Sequence, residues 1–140
     1  MSNRADILYI EDNEDYIDFV KRALKKVDSN ITISTATDGK TALSTVSNAT
    51  NDVSYRLILL DIHLPGITGI ELVQKIREQK ALAYTPIVML STSDHPKDIE
   101  ACYQRGANAY LVKPIGIQPL VNTLKSVCEF WLNCNYSATV

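Results

Sequence analysis

The chain has 140 residues, 46% of them apolar and 21% charged, with a formal net charge of −2. That mixture fits one compact domain and excludes both a disordered chain and a basic nucleic-acid-binding surface. Apolar runs such as Leu57–Leu60 fall far short of the roughly 20 residues that span a bilayer, so no membrane association is expected. The N-terminus, from Met1 to Asp6, has no apolar segment of a secretory signal. Cys102, Cys128 and Cys134 are odd in number and lack CxxC spacing, so a disulfide framework or zinc site is not expected, and a reducing, cytoplasmic setting is.

Along the chain, strand-like runs alternate with helix-like spacing. Ile7–Ile10 is a short apolar run read as a buried strand, and Ile17, Val20, Leu24 and Val27 follow at helical spacing. Residues 31–36 alternate with Ser and Thr and read as a second strand. Asp38-Gly39 is a turn signal that opens a helix to about Ser47, and 47–55 reads as a polar loop. Leu57–Leu60 is a third strand, apolar enough to be covered on both faces. After the Pro65-Gly66 break, Thr68 with Glu71 has the pattern of a helix-capping box ahead of Leu72, Val73 and Ile76. Residues 86–90 form a fourth strand. Pro96 suits the first turn of a helix ending near Gly106. Ala109–Val112 is a fifth strand, and Pro119 starts a long terminal helix. Residues 133–140 read as a tail of the single domain. Five strands and five helices in alternation predict a doubly wound parallel α/β sheet, flavodoxin-like, with strand order 2-1-3-4-5.

Ligands of such sheets bind beyond the carboxyl ends of the strands, where the strand order reverses. Glu11 and Asp12 follow the first strand, Asp61 the third, Ser91 the fourth and Lys113 the fifth. Strands one and three are neighbours in this order, so three carboxylates converge. They repel one another unless a cation sits among them, and an all-oxygen set suits magnesium. A lysine and a hydroxyl around one carboxylate is a constellation for phosphoryl transfer, with Asp61 as nucleophile. Each piece alone reads as a turn, a cap or a loop; their occurrence at successive strand ends carries the reading.

These residues resemble the receiver domain of two-component response regulators over roughly residues 5–132. The matching segments are residues 7–12, 57–66, 88–91 and 106–114. The resemblance implies that Asp61 accepts phosphate from a histidine kinase, with self-phosphorylation and self-dephosphorylation chemistry that depends on Mg2+, in a signalling protein rather than an enzyme of metabolism. Glu11 and Asp12 would hold the metal, Asp12 more directly, with the backbone carbonyl of His63. Ser91 would bond the phosphoryl group, Lys113 would pair with it, and Tyr110 would switch between exposed and buried positions. A cis Lys113–Pro114 peptide is implied as well. His63 and Ser93 occupy positions that tune phosphate lifetime in the family.

The ending from Val127 to Leu132 is similar to regulators partnered with phytochromes, which act as single receiver domains and homodimers. A phytochrome-type sensor kinase is thus the implied partner, with no direct contact to nucleic acid. In the last helix, Leu120, Val121, Leu124, Val127, Cys128 and Trp131 form a core stripe. Phe130 lies off it, so a dimer or partner contact at Phe130 and Trp131 is expected. With no room for an output domain, output is expected through protein contacts on the face of the fourth helix, fifth strand and fifth helix. A haloacid-dehalogenase-type phosphatase would need an Asp where His63 stands. A flavin carrier would need a phosphate loop where Glu11 and Asp12 stand.

Overall fold

The computed structural model of the protein describes residues 5–47 and 55–138; residues 1–4 of the stretch read for a signal and most of the 47–55 loop lie outside the described residues. Five strands, β1 (Ile7–Ile10), β2 (Ile33–Ala36), β3 (Leu57–Leu60), β4 (Ile87–Ser91) and β5 (Ala109–Val112), form one sheet in the order β2-β1-β3-β4-β5, every pairing parallel. The helices are α1 (Glu14–Val27), α2 (Gly39–Ser47), α3 (Gly69–Arg77), α4 (Pro96–Arg105) and α5 (Ile117–Cys128).

Side chains alternate across a strand, so each buried strand feeds two cores. Leu8, Ile10, Ile58, Leu60, Ile87 and Met89 pack against α2, α3 and α4. Ile7, Tyr9, Leu57, Leu59, Val88 and Leu90 pack against α1 and α5. The helices therefore cover both faces of the sheet, as a parallel sheet requires.

Local chemistry sets where the helices begin. Asn13 Oδ1 accepts from the Tyr16 amide at 2.9 Å, Asp38 Oδ1 from the Thr41 amide at 2.6 Å and Thr68 Oγ1 from the Glu71 amide at 3.3 Å. Each satisfies a donor that the first helical turn leaves free. Gly106 ends α4 with φ of 114°, a left-handed conformation that favours glycine.

Several boundaries differ from the sequence reading for identifiable reasons. β2 starts at Ile33 because the Ile31 amide is spent on Asp28 O at 3.2 Å, closing the turn after α1. β4 runs to Ser91 because the Ser91 carbonyl accepts from the Lys113 amide at 2.8 Å, extending the ladder toward β5. A short 3-10 turn at Lys80–Leu82 has no counterpart in the reading. The α-helical part of the last helix ends at Cys128, and a wider π turn, Glu129–Cys134, continues it into the expected tail. Arg56 donates to the Leu132 carbonyl there, one of the acceptors a helix end leaves unpaired.

Candidate functional site

The hydrogen-bond ladder continues past the strands and aligns the residues that follow them. The Glu11 amide donates to Ala36 O at 3.0 Å and the Asp61 amide to Ile10 O at 3.0 Å. With Ile10 opposite Leu60, the backbones of Glu11 and Asp61 leave the sheet side by side. Beneath them, α3 starts close to β3: a Cβ added to Gly69 would lie 2.1 Å from the Asp61 carbonyl oxygen, so only glycine fits this approach.

Glu11, Asp12 and Asp61 bring one carboxylate oxygen each to within 4.8 Å of one another. Asp12 is exposed, whereas Glu11 is 1% and Asp61 3% exposed. Lys113 Nζ enters from the end of β5, 2.5 Å from Glu11 Oε1 and 3.2 Å from Asp61 Oδ2. The ammonium also stands 4.3 Å from the centre of the Tyr16 ring, within cation–π range. Burial pushes the Glu11 carboxyl above the usual carboxylate range, and the Asp61 charge adds to this, while Lys113 pulls it back. Asp61 Oδ1 is buried and has no hydrogen-bond partner among the described residues. A buried, unpaired carboxylate oxygen beside an exposed one is the donor set that a hard divalent cation takes, so these residues fit such an ion.

The remaining site residues are placed as follows. Ser91 is fully buried at the end of β4, and its Oγ accepts from the Ser93 amide at 3.4 Å. Tyr110 is half-buried on β5 and its hydroxyl donates to the Ser93 carbonyl at 2.7 Å. Ser93 in turn donates from Oγ to Asp98 Oδ2 at 2.6 Å, tying the β4–α4 loop to α4. His63 is exposed two residues beyond Asp61. Phe130 and Trp131 lie away from this rim, Trp131 lining a cavity with Pro86 and Asn108, the residues just before β4 and β5. Phe130 is 51% exposed and Trp131 half-buried, their rings edge to face at 4.7 Å.

The expected cis Lys113–Pro114 peptide is corrected: no described peptide bond is cis. The X–Pro bond favours trans by about 0.5–1 kcal/mol, and Lys113 reaches both carboxylates with the bond trans. Sequence reasoning also missed Tyr9, Asn13 and Tyr16. Tyr9 donates its hydroxyl to Glu11 Oε1 at 3.0 Å, and the Asn13 amide donates to Glu11 Oε2 at 3.3 Å. The period of two along β1 already places Tyr9 and Glu11 on one face and was the available signal.

A family model described as the response regulator receiver domain matches residues 7–125. The probable methanogenesis regulatory protein FilR2 of Methanothrix harundinacea is 32% identical over 94% of this chain and 86% of its own length. Among solved structures, the phosphorylated cyanobacterial phytochrome response regulator RcpA superposes with a TM-score of 0.84 at 29% identity, covering 99% of this chain and all of that one. The Mn2+-bound response regulator Rcp1 gives 0.82 at 27% identity, covering 95% and 98%.

Proposed function

The chain belongs to the response regulator receiver family, and from that premise we propose that it accepts a phosphoryl group on Asp61 from a phytochrome-type histidine kinase and passes the signal on through the face of α4, β5 and α5. Receiver domains as a family are phosphoacceptor signalling domains. The observation that carries the residue assignment is the meeting of Glu11, Asp12, Asp61 and Lys113 at one rim, with Asp61 Oδ1 left without a donor. The kinase class is supported by the likeness to the phytochrome response regulator RcpA along nearly the whole chain, and by the Phe130-Trp131 ending.

In this reading one Asp61 carboxylate oxygen attacks the phosphorus of a phosphohistidine. The O–P bond forms as the P–N bond breaks, and the imidazole leaves with the electron pair and takes up a proton. Asp12 and Asp61, with the His63 carbonyl, would hold Mg2+, which would supply positive charge against the phosphoryl group; Glu11 completes the acidic set while balancing Lys113. Lys113 and Ser91 move onto the phosphoryl oxygens. The added group brings about −1.5 to −2 charges and three acceptors. Turning a 1:99 equilibrium to 99:1 takes about 5.5 kcal/mol, within reach of a few charge-assisted hydrogen bonds of about 1.5–3 kcal/mol each. As Ser91 moves, the β4–α4 loop and the Tyr110–Ser93 contact rearrange, reshaping the α4–β5–α5 face, and Phe130 and Trp131 provide the contact of a homodimer. The protein acts in the cytoplasm.

Incubation with acetyl phosphate, with and without magnesium chloride, tests the reading. The expected result is one acid-stable, base-labile phosphoryl adduct that requires the metal and disappears in Asp61→Ala. Labelling that survives the substitution, or that ignores the metal, overturns it.

A further inference from the structure

Tyr9 on β1 and Glu11 just past its end lie two residues apart along extended backbone, so both side chains point toward the side of the sheet covered by α1 and α5. The Tyr9 ring is fully buried there, beside Leu57, Leu59 and Val20 in one apolar cluster. Its hydroxyl reaches Glu11 Oε1 at 3.0 Å. The same oxygen accepts from Lys113 Nζ at 2.5 Å, while the Asn13 amide occupies Oε2 at 3.3 Å. A phenol and an ammonium thus share one carboxylate oxygen, and the ammonium's second partner is Asp61 at 3.2 Å. Burial together with the Glu11 charge pushes the Tyr9 phenol well up, so it stays a donor.

We infer that Tyr9 is a positioning residue for the phosphoryl site, acting through Glu11 to set how readily Lys113 leaves Glu11 for the oxygens of a phosphoryl group on Asp61. This rests on the reading of Asp61 as phosphoacceptor. Two consequences follow from the geometry. The hydroxyl fixes the Glu11 carboxylate from below, so Oε1 faces the lysine. It also takes up part of the charge on Oε1, because two donors on one acceptor weaken each other. Without the hydroxyl, the whole of that charge falls on Lys113, and the ammonium is held at Glu11 instead of moving onto phosphoryl oxygens. The ring does the packing and the hydroxyl does the positioning, so Tyr9→Phe separates the two.

The experiment follows label uptake from acetyl phosphate at saturating magnesium in the full chain. Tyr9→Phe is expected to lower the maximal rate constant about three- to tenfold, the range of one hydrogen bond, with the half-saturating donor concentration unchanged. In a Glu11→Gln background, where the charge that Tyr9 shares is gone, the same substitution is expected to change the rate less than about twofold. A purely structural role for the hydroxyl would move both backgrounds alike. Equal losses in the two backgrounds, an unchanged rate in Tyr9→Phe, or a Tyr9→Phe protein that fails to fold would each overturn the inference. An unlabelled wild type, or labelling that persists in Asp61→Ala, overturns the phosphoacceptor reading and this inference with it. A labelled wild type with an unaffected Tyr9→Phe overturns the inference alone.

Discussion

Among the described residues, Lys113 is the one cation bonded to two carboxylates that have almost no contact with water: Glu11 is 1% and Asp61 3% exposed. Removing it leaves both acids buried without a counter-charge, a change that costs about 3–5 kcal/mol in comparable settings. Lys113→Ala should therefore unfold at a markedly lower temperature than the wild type, and the deficit should depend on pH. Glu11 is already raised by burial and by Asp61, and the variant loses the lysine that pulls it down. A carboxyl whose folded value lies above its unfolded value binds more protons in the folded state, so its contribution weakens as pH rises through that interval. Thermal melts should show a larger deficit at pH 8 than at pH 5; a deficit independent of pH would mean that the lysine packs rather than neutralises. A second expectation at this scale concerns the thiols. Burial pushes Cys102 and Cys128 up to about 11, whereas Cys134 is exposed. At pH 8 a maleimide should label Cys134 alone, and mass spectrometry would count the adducts. The meeting of Glu11, Asp12, Asp61 and Lys113 was legible in the sequence because each follows a strand, as Ser91 ends one, and the topology alone brings strand ends together. The period of β1 puts Tyr9 on the same face as Glu11, but the roles of Tyr9, Asn13 and Tyr16 were not legible, because they come from how far a hydroxyl, an amide or a ring reaches across from a neighbouring position.

At the scale of elements, the site depends on how closely α3 follows β3. The Gly69 amide donates to Ile62 O at 2.8 Å, and the absent Cβ is what lets the helix start against the Asp61 carbonyl. Gly69→Ala must push that backbone aside. Overpacking of this kind costs about 1–3 kcal/mol, and here the displaced atoms belong to the proposed phosphoacceptor itself. Both the melting temperature and the rate of labelling by acetyl phosphate should fall; a slower reaction with unchanged stability, or the reverse, would show that loop and site move independently. The opposite rim of the sheet, where the strands begin, has its own tie. Arg56 pairs with Asp6 at 3.6 Å and caps the Leu132 carbonyl, linking the start of β3 to the π turn that ends the chain's last helix. Arg56→Ala should raise amide hydrogen exchange over residues 129–134 while leaving β1, β3 and β4 protected. The Thr68 cap and the Gly106 stop were readable from residue type. The π turn was not, since the apolar spacing of Leu120, Leu124, Val127 and Cys128 continues to Trp131 whether the backbone bonds are α or π.

For the molecule as a whole, strand order was legible because alternation of short apolar runs with helical spacing leaves few arrangements of a parallel sheet, and the observed order β2-β1-β3-β4-β5 is the one expected. The alternation says nothing about what covers the outside, and there the exposed apolar residues decide. Tyr103 on α4, Val112 at the end of β5, Ile115 and Ile117 at the entry to α5, and Phe130 beyond its end are all exposed, Ile115 to 95%. Single exposed apolar side chains are ordinary, but these fall on the elements that flank the β5 edge, whose outer side pairs with no strand among the described residues. Phe130 separates the proposed homodimer from the fold most cleanly. Its ring is half exposed and stands edge to face with Trp131, ring centres 4.7 Å apart, whereas Leu132 next to it is buried in the core. A glutamate at position 130 would face water in a monomer at little cost, but would stand desolvated and unpaired in a dimer that covers it. Phe130→Glu should shift the sedimentation profile toward the monomer with the melting temperature of the isolated chain nearly unchanged and acetyl phosphate still labelling Asp61. A sedimentation profile identical to that of the wild type would remove Phe130 from the interface, and a collapse in melting temperature would place it in the core instead.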